Sequence, residues 1–385
     1  MQYYVILLSL YFLSMINLKN KKIEEITFII MALFLCTSYF NGSDWRQYEL
    51  YYNLITFENF KEIYFEKGYV LYNLIFKYLK IDFFEMFIFT KIIIILIFKK
   101  IIFKYSENKY LTMGLFFSFM GIFLFIDCPF RNLIAIGIVL YAQKYLTKSK
   151  IKYILFIIMA SLFHNSAIIF ILLIIKLRKT FKKEILFIII ILIFIFLSND
   201  ILLSKLLSYM PFYDTRIIHY LGSKYDEGKI ISVGSLEKIL IIFLLLVTKK
   251  TKIINKKIIY YSIIYFLLYR IGLTFKFLAR YAFYFQLFYL VALSNIIMTT
   301  EKIKQKIIIT LVFGYAMLQM ITVIHKNYEY LPYTTYMSWL FKEKPSYSYR
   351  FKYNLIKYIR KNGNNEGMKK RFKYLEEIEK SYKIK

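Results

Sequence analysis

The sequence predicts an all-α polytopic membrane protein, with roughly 11 to 12 transmembrane or re-entrant helices and external amphipathic segments. Three observations carry that expectation. Of 385 residues 59% are hydrophobic, and they fall into recurrent apolar runs rather than alternating faces. The runs are about 15 to 22 residues long, the length that crosses a bilayer as a helix. The net charge of +30 sits in short Lys clusters between these runs, where membrane topology places it and where no nucleic-acid face would form.

Taken in order, twelve apolar segments are expected at 3–18, 26–40, 83–98, 110–126, 130–146, 151–163, 165–177, 184–202, 235–248, 257–274, 280–298 and 306–324. The first lacks a basic start and a small-residue cleavage site, so it is read as a span rather than a leader. Lys19, Lys21 and Lys22 follow it and set that connection in the cytoplasm. Lys99, Lys100, Lys104 and Lys109, and then Lys144, Lys148, Lys150 and Lys152, agree with that orientation.

The stretch 151–177 decides the rest. As one span it would put three later Lys clusters outside; bent at His164-Asn165-Ser166 it returns all three to the cytoplasm. A hairpin of two short helices is therefore expected. This topology leaves two long external segments, 41–82 and 203–234, and an external basic tail, 341–385, after a membrane domain spanning 1–340. Mixed charge and aromatics at helical spacing predict that 41–82 forms amphipathic helices lying on the bilayer surface. Cys36 and Cys128 lie in or beside spans without metal-ligand spacing and are read as packing residues.

Chemistry is expected at external helix starts. Asp127-Cys128-Pro129 has the form of a cap followed by proline, which puts Arg131 in the first turn of the next helix. A cation there opposes the helix dipole unless an anion binds between it and the free N–H groups, the physics of a phosphate site. The pattern recurs at His164, before the capping residues Asn165 and Ser166, and at Arg280, which opens RYAFYFQLFYLVAL. Three such starts on one side point to an anionic ligand.

Asp44 and Glu66, both in the first external segment, are the carboxylates placed to orient or deprotonate a sugar hydroxyl. Their ordinary alternatives are a helix cap for Asp44 and a pair with Lys67 for Glu66. Arg46 is a candidate for an acidic partner or for Asp44 itself, and Arg46 and Arg216, the latter in the second loop, are further candidates for holding the phosphate ligand. Nucleotide-binding, zinc-protease and serine-hydrolase motifs are absent from the sequence, and no metal or cofactor is expected.

These residues also carry a family resemblance. NGSDWRQYELYY at 41–52, EKGYVLYNLI at 66–75, PFRNLIAIGIVLYA at 129–142, SLFHNSAIIFIL at 161–172, ARYAFYF at 279–285 and YLPY at 330–333 resemble, in order and spacing, the EpsG family, which is grouped with Wzy-type polysaccharide polymerases. The resemblance implies a GT-C-like helical scaffold in the bacterial cytoplasmic membrane. It implies polymerisation of undecaprenyl-diphosphate-linked repeat units into exopolysaccharide, capsule or O-antigen, alongside flippase and chain-length regulator proteins. On matched positions it marks Asp44, Arg131, His164 and Arg280 as site candidates, with Glu66 and Tyr333 behind them. A flippase of the same lipid-linked unit and a glycan acyltransferase are the competing classes.

Overall fold

Short polar caps between apolar stretches divide the chain into helices. In the computed structural model, which describes residues 1–174, 233–247, 255–274, 278–346 and 349–350 with isolated positions beyond, every regular element among the described residues is helical. The order is α1 (Gln2–Ile16), α2 (Lys21–Cys36), α3 (Trp45–Leu54), α4 (Lys67–Tyr78), α5 (Phe83–Tyr105) and α6 (Lys109–Phe116), which continues as a π-helix over Phe117–Asp127. Then come α7 (Phe130–Ala142), α8 (Lys150–Ser161), a 3-10 helix (Asn165–Ile174), α9 (Val233–Val247), α10 (Lys256–Thr274), α11 (Ala279–Ile297) and α12 (Lys302–Lys326). Asn20, Asp82, Asn108 and Ser149 each begin a helix by accepting backbone N–H groups that have no partner inside it. Segment 184–202, Arg216 with most of the second external loop, and most of the tail lie outside the described residues.

The helices run between two ends of a bundle. At one end Asn108 Nδ2 donates to Ser14 O (2.8 Å), Lys109 pairs with Glu24 (2.6 Å) and Lys99 with Glu25. Asn295 Nδ2 donates to Tyr105 O (2.7 Å) and Lys257 Nζ to Gln143 O (3.1 Å) at that same end. α12 lies antiparallel to α1, with Tyr11 bonded to Thr310 (3.0 Å) and Tyr4 stacked on His325, so Lys302 joins this end too. The described Lys clusters thus share one pole.

The hairpin forms as expected at its bend. Tyr153 Oη donates to Phe170 O at 2.8 Å, although the two residues are 17 apart in sequence. A straight α-helix would separate them by about 25 Å, so the chain has folded back. The returning arm is a 3-10 helix rather than the expected α-helix.

Val5, Leu8 and Phe12 of α1, Ile26, Ile29 and Leu33 of α2, and Ile307, Leu311 and Leu318 of α12 face outward. An apolar surface this broad has the character of one covered by lipid. Two helical stretches among the described residues, Lys109–Asp127 and Lys302–Lys326, are long and apolar enough to cross a membrane, with Gln2–Ile16, Phe130–Ala142 and Asn165–Ile174 shorter apolar helices. The difference from the expected count is partly one of length and charge: α1 and α2 are 15 and 16 residues, and α5 carries Lys91, Lys99, Lys100 and Lys104.

The first external segment departs from expectation. It does form two helices, α3 and α4, but Trp45, Arg46, Tyr48, Glu49, Leu50, Tyr51 and Tyr52 are all buried. Protein, packed from α4 and α5, covers the face of α3 that was expected to lie on lipid, whereas α4 keeps Leu71 and Ile75 exposed, as an amphipathic surface helix would.

Candidate functional site

At the pole opposite the Lys clusters, residues from five elements meet. Arg131 is in the first turn of α7, as the sequence predicts, and its anion comes from the protein itself: Nη1 pairs with Oε2 of Glu66, at the N-cap of α4. Lys67, the alternative partner of Glu66, donates to the carbonyls of Phe60, Lys61 and Ile63. The other oxygen of Glu66 accepts the backbone N–H of Asn165 at 3.4 Å, the first residue of the returning hairpin arm. One carboxylate therefore bridges two of the three predicted helix starts.

The third start joins through hydroxyls. His164 Nδ1 lies 2.6 Å from Ser166 Oγ, which lies 2.9 Å from Tyr284 Oη on α11, one turn beyond Arg280. The backbone N–H of Ser166 also points at Nδ1, at 3.4 Å. A backbone N–H only donates, so Nδ1 is the accepting nitrogen, and the imidazole proton is assigned to Nε2. Burial, reinforced by Arg131 and Arg280 and opposed by Glu66, lowers the His164 pKa to about 4. The ring is a neutral donor at ordinary pH. Arg280 itself is exposed and pairs with no carboxylate among the described residues.

Arg131 packs its guanidinium over the Phe65 ring at 4.3 Å. Tyr48, one turn along α3 from Asp44, lies within electrostatic reach of both Arg131 and Asp44, and burial pushes its phenol up to about 12. Sequence reasoning missed Tyr48 and Tyr284; both fall inside the family motifs, where a buried tyrosine looks like any other core aromatic.

Asp44 occupies the N-cap position of α3, but its side chain makes no capping bond. The backbone N–H of Ser43 donates to Asp127 Oδ1 at 2.8 Å, and its Oγ lies 3.0 Å from Asp44 Oδ1 and 2.8 Å from Asp127 Oδ1, so its one hydroxyl proton is shared between the two carboxylates. Asp127 is thus no helix cap. Pro129 holds the cap position of α7, and Asp127 ties the end of the π-helix to the NGSD loop.

That loop is built tightly. Gly42 has φ +83°, and a Cβ there would lie 2.1 Å from Ile126 O, so both conformation and space demand glycine. Asn41 Nδ2 donates to the carbonyls of Tyr330 (3.1 Å) and Pro332 (2.9 Å), while its Oδ1 accepts from Thr334 N (2.9 Å). From below, buried Lys91 donates to Ser38 Oγ (3.2 Å) and Phe125 O (2.9 Å).

Arg46 and Tyr333 sit apart from the Arg131 group. Arg46 pairs with Glu329 at 3.1 Å and is buried. Tyr333 donates to Phe34 O (2.6 Å), stacks on the Phe34 ring at 4.1 Å and meets Tyr3 edge-on. Both residues join the NGSD loop and α2 to the YLPY segment. Among the described residues no group of His, Cys, Asp and Glu could hold a metal ion.

The described residues form an all-helical bundle with a broad apolar outer surface, the described Lys clusters at one pole and the quoted motifs at the other, a build that fits a helical membrane protein. The chain belongs to the EpsG family, whose model matches residues 25–335, from the first turns of α2 to the strap that Asn41 holds. Membership makes it a membrane protein of polysaccharide biosynthesis. No curated protein and no solved structure matches the chain.

Proposed function

We propose that the protein polymerises polyprenyl-diphosphate-linked oligosaccharide repeat units by glycosyl transfer at the outer face of the bacterial cytoplasmic membrane, on a polytopic, GT-C-like scaffold. The observation that supports this is the convergence of three helix starts, with Arg131, Arg280 and neutral His164, at the pole away from the described Lys clusters. In the proposed reaction an acceptor hydroxyl oxygen attacks the donor's anomeric carbon and the bond from that carbon to the diphosphate breaks. Arg280 and Arg131 take up the charge on the leaving diphosphate, and the Nε2–H of His164 donates to it. Asp44 or Glu66 receives the acceptor's proton. Arg46 and Tyr333 hold the loop that carries Asp44, and Arg216 stays a diphosphate candidate from the second loop.

Purified protein supplied with already exposed lipid-linked units tests the reading, because no transport step is then needed. Polymer should form. Arg131→Ala and Arg280→Ala should lower the rate about 100-fold or more, the scale of a lost electrostatic group at a reacting centre. Polymer of unchanged length and amount from Arg131→Ala would overturn the assignment, and translocation without polymer would favour a flippase.

A further inference from the structure

Glu66 occupies the place that a phosphate would take. Its carboxylate lies between the Arg131 guanidinium and the Asn165 N–H at a helix start, the two donors that the proposed diphosphate site needs. Both side chains of the pair are mostly buried, and Phe65 covers one face of the guanidinium. The Nε of Arg131 is buried without a hydrogen-bond partner, and the Tyr48 hydroxyl bonds the same guanidinium, so the group is held on the protein side with Glu66 as its anion. The site is closed by an internal anion.

We propose that the donor's diphosphate displaces Glu66 from Arg131 and Asn165, and that the freed carboxylate then becomes the base for the acceptor. This rests on the polymerase reading above. A diphosphate carries more charge than a carboxylate and more oxygens to meet the same N–H groups, which favours the exchange. Until it arrives, Glu66 is engaged and no free carboxylate faces Arg131, so acceptor activation waits for the donor. During transfer the acceptor's proton passes to Glu66 as the new glycosidic bond forms and the diphosphate leaves as the anion held by Arg131 and Arg280. Glu66 then loses that proton to water and re-forms its pair with Arg131 once the product diphosphate has dissociated.

Binding of farnesyl diphosphate to the full chain in detergent micelles tests this without any turnover. Glu66→Gln keeps the side chain's shape but removes the competing charge, so the Kd should fall about tenfold, as expected when a state that blocks the site is removed. Polymer formation by the same variant should fall. Glu66→Asp keeps the charge and should bind no more tightly than wild type, and a gain equal to that of the Gln variant would overturn the proposal. If Arg131→Ala weakens binding while Glu66→Gln leaves it unchanged or weaker, the displacement fails and the donor site stands. If neither Arg131→Ala nor Glu66→Gln changes binding, the donor site itself is wrong.

Discussion

His164 shows how a local environment sets the character of one residue. The sequence places a histidine at a polar break; burial beside Arg131 and Arg280 makes it a neutral donor with a pKa near 4. The sign of the linkage follows. An unfolded chain takes up a proton at the ordinary value of 6.5, the folded one only near 4, so the folded state loses stability as pH falls through that window. His164→Gln should therefore lose less of its apparent melting temperature between pH 7 and pH 4.5 than wild type does. An equal loss would separate His164 from the acid sensitivity. Arg131 is a second case: its place in a first turn was legible, but its partner was not. Glu66 lies 65 residues away, and nothing in local spacing tells whether its carboxylate pairs with Arg131 or with the adjacent Lys67.

At the scale of elements, polar side chains that span long sequence separations hold the site loops. The tail offers the sharpest example, since the sequence marks it only as a basic stretch after residue 340. Its first part instead straps the site pole: Lys344 pairs with Glu85 (2.7 Å), Arg350 with buried Glu49, and Tyr353 packs on Phe40 at 5.0 Å. Burial pushes the Glu49 carboxyl up to about 7, against the pull of Arg350. A raised carboxyl leaves folding most favoured below the ordinary value of 4.5 and less so as pH rises toward 7. Arg350→Ala should thus destabilise by about 3 kcal/mol at pH 8, the usual penalty for a buried charge that loses its partner. The loss should shrink at pH 5, where the carboxyl is protonated, and Glu49→Gln in the same background should recover most of it. Denaturant or thermal unfolding of the two variants measures both effects. The hairpin was more legible, because the Lys clusters around it allow few topologies, whereas the 3-10 form of its second arm depends on packing against α7 and α8.

The whole molecule has a lysine-rich pole and a site pole, and the orientation proposed for them is open to direct test. Cys36 and Cys128 are both buried, so the native chain offers little background to a thiol reagent. Lys61 and Phe341 are exposed at the site pole, Lys148 and Lys302 at the other. With a membrane-impermeant maleimide on intact cells, Lys61→Cys and Phe341→Cys should label at once. Lys148→Cys and Lys302→Cys should label only after permeabilisation, and the reverse pattern would move the site to the cytoplasm.

The sequence by itself determined the helical class, most helix positions, the common side of the described Lys clusters and the bend at His164. Run length, cap residues and charge clustering are local properties that a one-dimensional reading can see. Only the tertiary structure decided which groups face each other: Glu66 with Arg131 and Asn165, Ser43 between Asp44 and Asp127, Asn41 with the YLPY strap, Arg350 with Glu49. A carboxylate taken out of water must find a donor, and several compete for it along the chain. Which one it meets depends on how the helices pack, and that is set by the whole set of contacts at once.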